Sequence, residues 1–199
     1  MAAKSHPNPK LQAAQALLAL LADKDWHAIT LSEVAAKAGL SLSELRALTS
    51  SKEGLLMALG AEIDRQVLAD MGKDDTQLSP RDRLFDVLMK RIEALAPYKP
   101  ALQRLADEGV KAPSAVLSVA CSIDRAMPWM LEAAGIPSSG LAGCVKAKAL
   151  AAVYLSALKV WLKDGSADLG PTMGALDKGL DRCGRLHSLL PKPLQDCLA

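Results

Sequence analysis

Thr30-Leu31-Ser32-Glu33-Val34-Ala35-Ala36-Lys37-Ala38-Gly39-Leu40-Ser41-Leu42-Ser43-Glu44 is the stretch that decides the fold. It contains two helix starts of one kind. In Thr30-Leu31-Ser32-Glu33 and in Ser41-Leu42-Ser43-Glu44, a hydroxyl is spaced to accept from the backbone N–H three residues on. The glutamate at that position is spaced to accept from the first residue's N–H. Ser50-Ser51-Lys52-Glu53 repeats the pattern, so three capping boxes fall within two dozen residues. Between the first two, Gly39 suits the left-handed position that closes a helix. Short helix, glycine turn and second short helix form the sequence shape of a helix-turn-helix. Such a unit presents its second helix to a DNA major groove.

Upstream, Leu11, Ala14, Leu18 and Leu21 share one face of a helix over about 10–24, after a polar, proline-bearing tail. Asp25-Trp26-His27 makes the turn. Downstream, a long helix runs from near Ser51 to about Met71. Ser79-Pro80 opens another, with serine at N-cap and proline at N1. A shorter helix follows Pro100. Pro113 starts one that reaches Ala134, and Pro128 inside it is expected to kink or split it. Helices over about 141–163 and 171–190 complete the chain. The spacing predicts nine helices, an all-α fold, and a division near residue 50. Residues 1–50 form the tail and helix-turn-helix head, and residues 51–199 form a larger helical body.

Composition agrees with this. Half of the 199 residues are hydrophobic, yet only 3% are aromatic, and Leu and Ala dominate. No alternating stretch reads as a strand. The net charge of +2 neither demands nor excludes a polyanionic partner. Cys121, Cys144, Cys183 and Cys197 form no Cys-x-x-Cys pair and read as thiols of a reducing, cytoplasmic protein. His6, His27 and His187 lack metal-ligand spacing, so no metal is expected. The longest uncharged apolar run, 149–158, is about half the ~20 residues of a membrane span. No nucleophile elbow, phosphate loop or zinc pattern is present, so neither an enzyme nor a cofactor is expected.

The string from Thr30 to Ser41, followed by Ser51-Lys52-Glu53-Gly54-Leu55-Leu56, resembles the TetR family of bacterial repressors over Leu17 to Leu59. The resemblance implies an all-helical dimer with a DNA-reading head and a larger ligand-binding body. Where the family carries Tyr and Phe before Ser-Lys-Glu, this chain has Arg46 and Thr49. A second resemblance covers roughly 80–185. It is carried by Arg91-Ile92-Glu93-Ala94-Leu95, Trp129-Met130-Leu131-Glu132-Ala133-Ala134-Gly135 and Tyr154-Leu155-Ser156-Ala157-Leu158-Lys159-Val160-Trp161. These look like the lipid-binding accessory family of ubiquinone biosynthesis, which implies isoprenoid binding in a TetR-type body.

Three sets of residues follow as candidates. For DNA, the second short helix exposes Ser43, Glu44, Arg46 and Ala47, with Leu42, Leu45 and Leu48 turned inward. Arg46 suits a phosphate or a guanine edge. The N–H groups of Ser51 and Lys52 and the Lys52 charge suit a phosphate. Thr30 and Ser41 cap, contact a phosphate, or both; Glu44 caps, accepts from a cytosine amino group, or repels phosphate. For a hydrophobic ligand, Phe85, Leu88, Met89, Ile92, Leu105 and Val116 are expected to line a cavity with Val119, Ile123, Met127, Trp129 and Met130. For a homodimer, Met173, Leu176, Leu180, Cys183, His187 and Leu190 form an a/d-like stripe. Ala147, Ala151, Tyr154, Leu158 and Trp161 offer a second, making a four-helix bundle with a partner chain. The expected function is a dimeric regulator of palindromic operator DNA, modulated by a hydrophobic ligand. The rival is a lipid-binding accessory protein of quinone synthesis.

Overall fold

The structure, a computed structural model, describes residues 8–71 and 78–189, and only the backbone of the last four. Among the described residues there are nine α-helices and no strand. They are α1 (Pro9–Leu21), α2 (Leu31–Lys37), α3 (Leu42–Leu48), α4 (Lys52–Ala69), α5 (Pro80–Ala94), α6 (Lys99–Glu108), α7 (Pro113–Ala133), α8 (Gly140–Lys163) and α9 (Gly170–Leu189). Short 3-10 turns lie at Trp26–Ala28, Ala96–Tyr98 and Gly109–Lys111. Pro128 sits inside an unbroken α7, so the expected split does not occur.

Packing divides the chain into two compact units. One comprises residues 1–62 and 97–122, the other 63–96 and 123–199. In the first, α1 is the central rod. Its Ala13, Ala14, Leu17, Leu18 and Leu21 are buried, and it packs on α2, α3 and α6. Asn8 caps it by accepting from the Lys10 N–H at 3.1 Å. α4 and α7 approach closely where Gly60 meets Ser122, since a Cβ there would lie 2.0 Å from Ser122 Oγ.

In the second unit α8 and α9 form the main pair, with α5 packed on both. Gly179 lets the backbones close, because a Cβ there would lie 2.5 Å from Val153 Cγ1. Ala147, Ala151, Tyr154, Leu158, Trp161, Leu176 and Leu180 are all buried within this one chain. They were expected at a seam between copies; within this chain they lie in the interior of the second unit. An apolar stripe shows that a face is covered but not by what; here α8 and α9 pack on each other and α5 packs on both. Among the described residues α8 alone is long and apolar enough to cross a bilayer, but its Leu150, Tyr154, Ala157 and Trp161 are buried in the fold.

Asp164 organises the turn between α8 and α9. Its carboxylate accepts from the N–H and hydroxyl of Ser166 (3.0 and 2.5 Å) and from those of Thr172 (3.1 and 2.5 Å). The Ser166 and Thr172 hydroxyls, then the Ser166 N–H, hold its carboxyl well below the usual aspartate range. A depressed folded pKa contributes stability that is fully present above the unfolded value and is lost as pH falls toward the folded one. Asp164→Asn is therefore expected to melt below the parent at neutral pH. The gap should narrow steadily once pH drops below ~4. Melting curves of both proteins against pH check this; a gap constant down to pH 2 would contradict it.

Candidate nucleic-acid interface

Both capping boxes of the deciding stretch form as spaced. The Thr30 hydroxyl accepts from the Glu33 N–H at 3.2 Å, and the Glu33 carboxylate accepts from the Thr30 N–H at 2.9 Å. Lys24 adds an ion pair to Glu33 at 2.6 Å. This hydrogen bond from Lys24, then those from Thr30, pull the Glu33 carboxyl down to about 2. In the second box the Ser41 hydroxyl accepts from the Glu44 N–H at 3.2 Å. The Glu44 carboxylate accepts from both the N–H and the hydroxyl of Ser41, each at 2.7 Å. The N–H and then the hydroxyl of Ser41 hold the Glu44 carboxyl below its ordinary range. Gly39 ends α2 with φ +69°, and the N–H groups of Gly39 and Leu40 bond back to Ala36 and Ala35. These two bonds are the Schellman closure that needs a left-handed residue.

The third box does not form as spaced. Thr49 is extended (φ −151°), and its hydroxyl donates to the Ser51 carbonyl at 2.9 Å. The cap of α4 therefore falls one residue later, where the Ser51 hydroxyl accepts from the Gly54 N–H at 3.3 Å. Glu53 turns instead to the Ser114 hydroxyl, which donates to it at 2.7 Å.

On α3, Leu45 is buried beneath the helix, and Ser43, Glu44, Arg46 and Ala47 are exposed. Leu48 is half-buried. Leu42, expected inward, is 53% exposed. Steps of three residues drift about 60° around a helix of 3.6 residues per turn, so only the middle leucine of the row faces straight in. Among the first four helices Leu42 is the one exposed large hydrophobic side chain in the described residues.

Lys52 is placed differently from the expectation of a phosphate contact. Its ammonium donates to the carbonyls of Trp26 (2.5 Å) and Ile29 (2.8 Å) and lies 4.5 Å from the Trp26 ring centroid. Partial burial pulls it below the ordinary lysine range. The Trp26 N–H in turn donates to both carboxylate oxygens of Glu108 on α6, at 3.1 and 3.0 Å. His27 bonds to the Lys111 carbonyl, and Arg104 donates to the Asp23 carbonyl at 3.1 Å. The turn at Trp26–Ala28 is thus a junction of α4, α6 and the turn after α6. The buried tryptophan was the only sequence signal for it; its partners lie 26 and 82 residues away.

The other candidates fall as follows. Leu88, Met89, Ile92, Ile123, Met127 and Met130 are buried in the second unit, where Phe85 is half-buried. Leu105 is buried and Val119 half-buried in the first unit. Val116 and Trp129 lie on the surface, Trp129 at 63% exposure, and line no interior of the chain. An open groove of about 600 Å³ runs along Lys159, Lys163, Asp164, Ser166 and Pro171, and includes none of the expected cavity residues. Met173 is exposed and Cys183 half-buried. The His187 side chain and Leu190 lie outside the described residues. No group of three His, Cys, Asp or Glu is placed to hold a metal among the described residues.

Two capped short helices packed with a first helix, followed by six further helices among the described residues, are the arrangement of the TetR fold. Solved structures share it. A TetR transcriptional regulator from Nitrosomonas europaea matches with a TM-score of 0.68 at 21% identity, over 88% of this chain and 98% of that one. A TetR regulator from Rhodococcus sp. RHA1 gives 0.63 at 20%, over 87% and 94%. A TetR-family regulator from Streptomyces coelicolor gives 0.56 at 15%, over 91% and 81%. No family model and no curated relative matches the chain. The likeness to the quinone accessory family rests on sequence alone.

Proposed function

We propose that this protein is a TetR-like transcriptional regulator, a cytoplasmic homodimer that binds a palindromic operator. Residues 1–50 read the DNA, and residues 51–199 bind a hydrophobic ligand and dimerise. One observation carries this reading: interlocked caps hold α3 with Leu45 beneath it and Ser43, Arg46 and Ala47 turned outward. Thr30 and Ser41 have their hydroxyls engaged in caps, and their role is to fix α2 and α3. The half-buried Ser51 caps α4 beside the proposed phosphate path. The ligand is taken up among Leu88, Met89, Ile92, Ile123, Met127 and Met130. The dimer uses the outer faces of α8 and α9, where Leu141, Val145 and Met173 are exposed. Ligand and DNA oppose each other because the ligand prefers a body state whose heads do not fit the operator spacing.

The test is selection of binding sites from a random duplex pool, followed by titration at several salt concentrations. A palindrome with two half-sites is expected. Lys24 is paired and Lys52 is turned inward, so Lys10, Lys37 and Arg46 are the cations of α1 to α4 outside such contacts up to Lys52. A dimer setting two or three of these per protomer on phosphates gives a slope of log K against log salt of about −4 to −5. Retention of no sequence, or a slope near −10, would contradict the proposal.

The same scarcity of cations favours a second reading, a lipid-binding accessory protein whose head no longer meets DNA. Native mass spectrometry showing a copurifying isoprenoid, with no sequence selected from the pool, would establish it over the first.

A further inference from the structure

We propose that Leu42 selects a thymine in each operator half-site, by packing on the 5-methyl group of that base. The inference rests on the DNA-binding reading above and adds to it a specific base.

The α3 surface narrows what can be read. Glu44 would be the natural acceptor for a cytosine amino group, but two hydrogen bonds from Ser41 to its Oε2 tie the carboxylate back to the cap. Ser41 likewise uses its hydroxyl within the cap. Ser43 and Arg46 are left as hydrogen-bonding side chains, and Leu42 and Ala47 as apolar ones, all four exposed. In the major groove the thymine methyl is the one apolar feature that a base edge offers. An exposed leucine on a surface is ordinary by itself. This one lies one turn before Arg46 and on the same flank of the helix, because residues four apart are neighbours. It also belongs to the first turn, which in this motif approaches the bases. Leu42 and Arg46 are thus two adjacent probes, one apolar and one cationic. Four residues rise about 6 Å, so the thymine falls within about two base pairs of the guanine that Arg46 reads.

The experiment uses the full-length protein and the operator selected from the random pool. Each thymine is replaced in turn by deoxyuridine, which removes only the methyl, and binding is followed by fluorescence anisotropy. One thymine per half-site, near the Arg46 guanine, is expected to lose about fourfold in affinity on replacement. Leu42→Ala, an exposed change, should melt with the parent and bind the thymine and uracil operators equally. Indifference of the parent protein to every replacement overturns the proposal. So does a uracil penalty that persists in Leu42→Ala, or a half-site without thymine. Failure to select any sequence would instead overturn the DNA-binding reading, and this inference with it.

Discussion

Replacing Arg91 by Met is expected to cost about 3–5 kcal/mol of folding stability, the range for stranding the partner of a buried ion pair. Arg91 is 2% exposed. Its Nε donates to the Asp64 carboxylate at 2.7 Å, and its NH1 to the Tyr154 hydroxyl at 2.9 Å. The guanidinium also lies 4.9 Å from the Tyr154 ring centroid, and that ring is fully buried. Burial pushes the Asp64 carboxyl up from its ordinary value, against the Arg91 charge and hydrogen bond that pull it down. Without Arg91 only the upward push remains. The destabilisation of Arg91→Met should then be worst at neutral pH and ease as acid neutralises Asp64. The triple replacement Arg91→Met, Asp64→Leu, Tyr154→Phe removes all the buried polar groups together and should recover most of the loss. Denaturant unfolding at pH 7 and pH 5 checks both statements. A loss below about 1 kcal/mol for the single change would show that the cluster is not stabilising in the way described.

Arg46→Ala is expected to weaken operator binding by about 10² to 10³ while leaving the melting temperature unchanged. Arg46 is exposed on α3 and belongs to no ion pair. A bidentate arginine–guanine contact is worth ~1–3 kcal/mol of discrimination, and a dimer makes it twice. Specificity should relax at one base pair per half-site and stay intact elsewhere. A uniform loss across all sequences, with a salt slope smaller by about two for the dimer, would reassign Arg46 to phosphate. Binding titrations against the selected operator and its single-position variants separate the two outcomes.

The head was legible because its signals are local. A capping box and a left-handed glycine are written within four or five residues, and both short helices formed from Thr30 and Ser41 as spaced. The third box slipped by one because a neighbouring hydroxyl, Thr49, offered the backbone another partner. The all-α class and the nine helices were equally open to periodicity. What periodicity cannot carry is the identity of the covering surface. The stripes of α8 and α9 read as a seam between copies, and much of both is already buried within the one chain. Long-range polar contacts leave no local trace either, so Lys52 and Glu108 could not be tied to Trp26. Arg91 was open to discovery. It occupies the row that runs from Leu84 and Leu88 on α5 to Leu95 at its C-cap, and a charge on such a row needs a buried partner.

The inward fold of Lys52 has a consequence for how such a regulator would search a chromosome. On the proposed reading, its grip on arbitrary sequence would come from counterions displaced by phosphate contacts, and few described side chains of the first three helices are available to displace them. Each accidental landing would be brief, and little of the protein would be held on the vast excess of irrelevant sites. A modest number of copies would then suffice to keep an operator occupied. Redirecting that single ammonium outward would tighten adhesion everywhere and so slow arrival at the one address that counts.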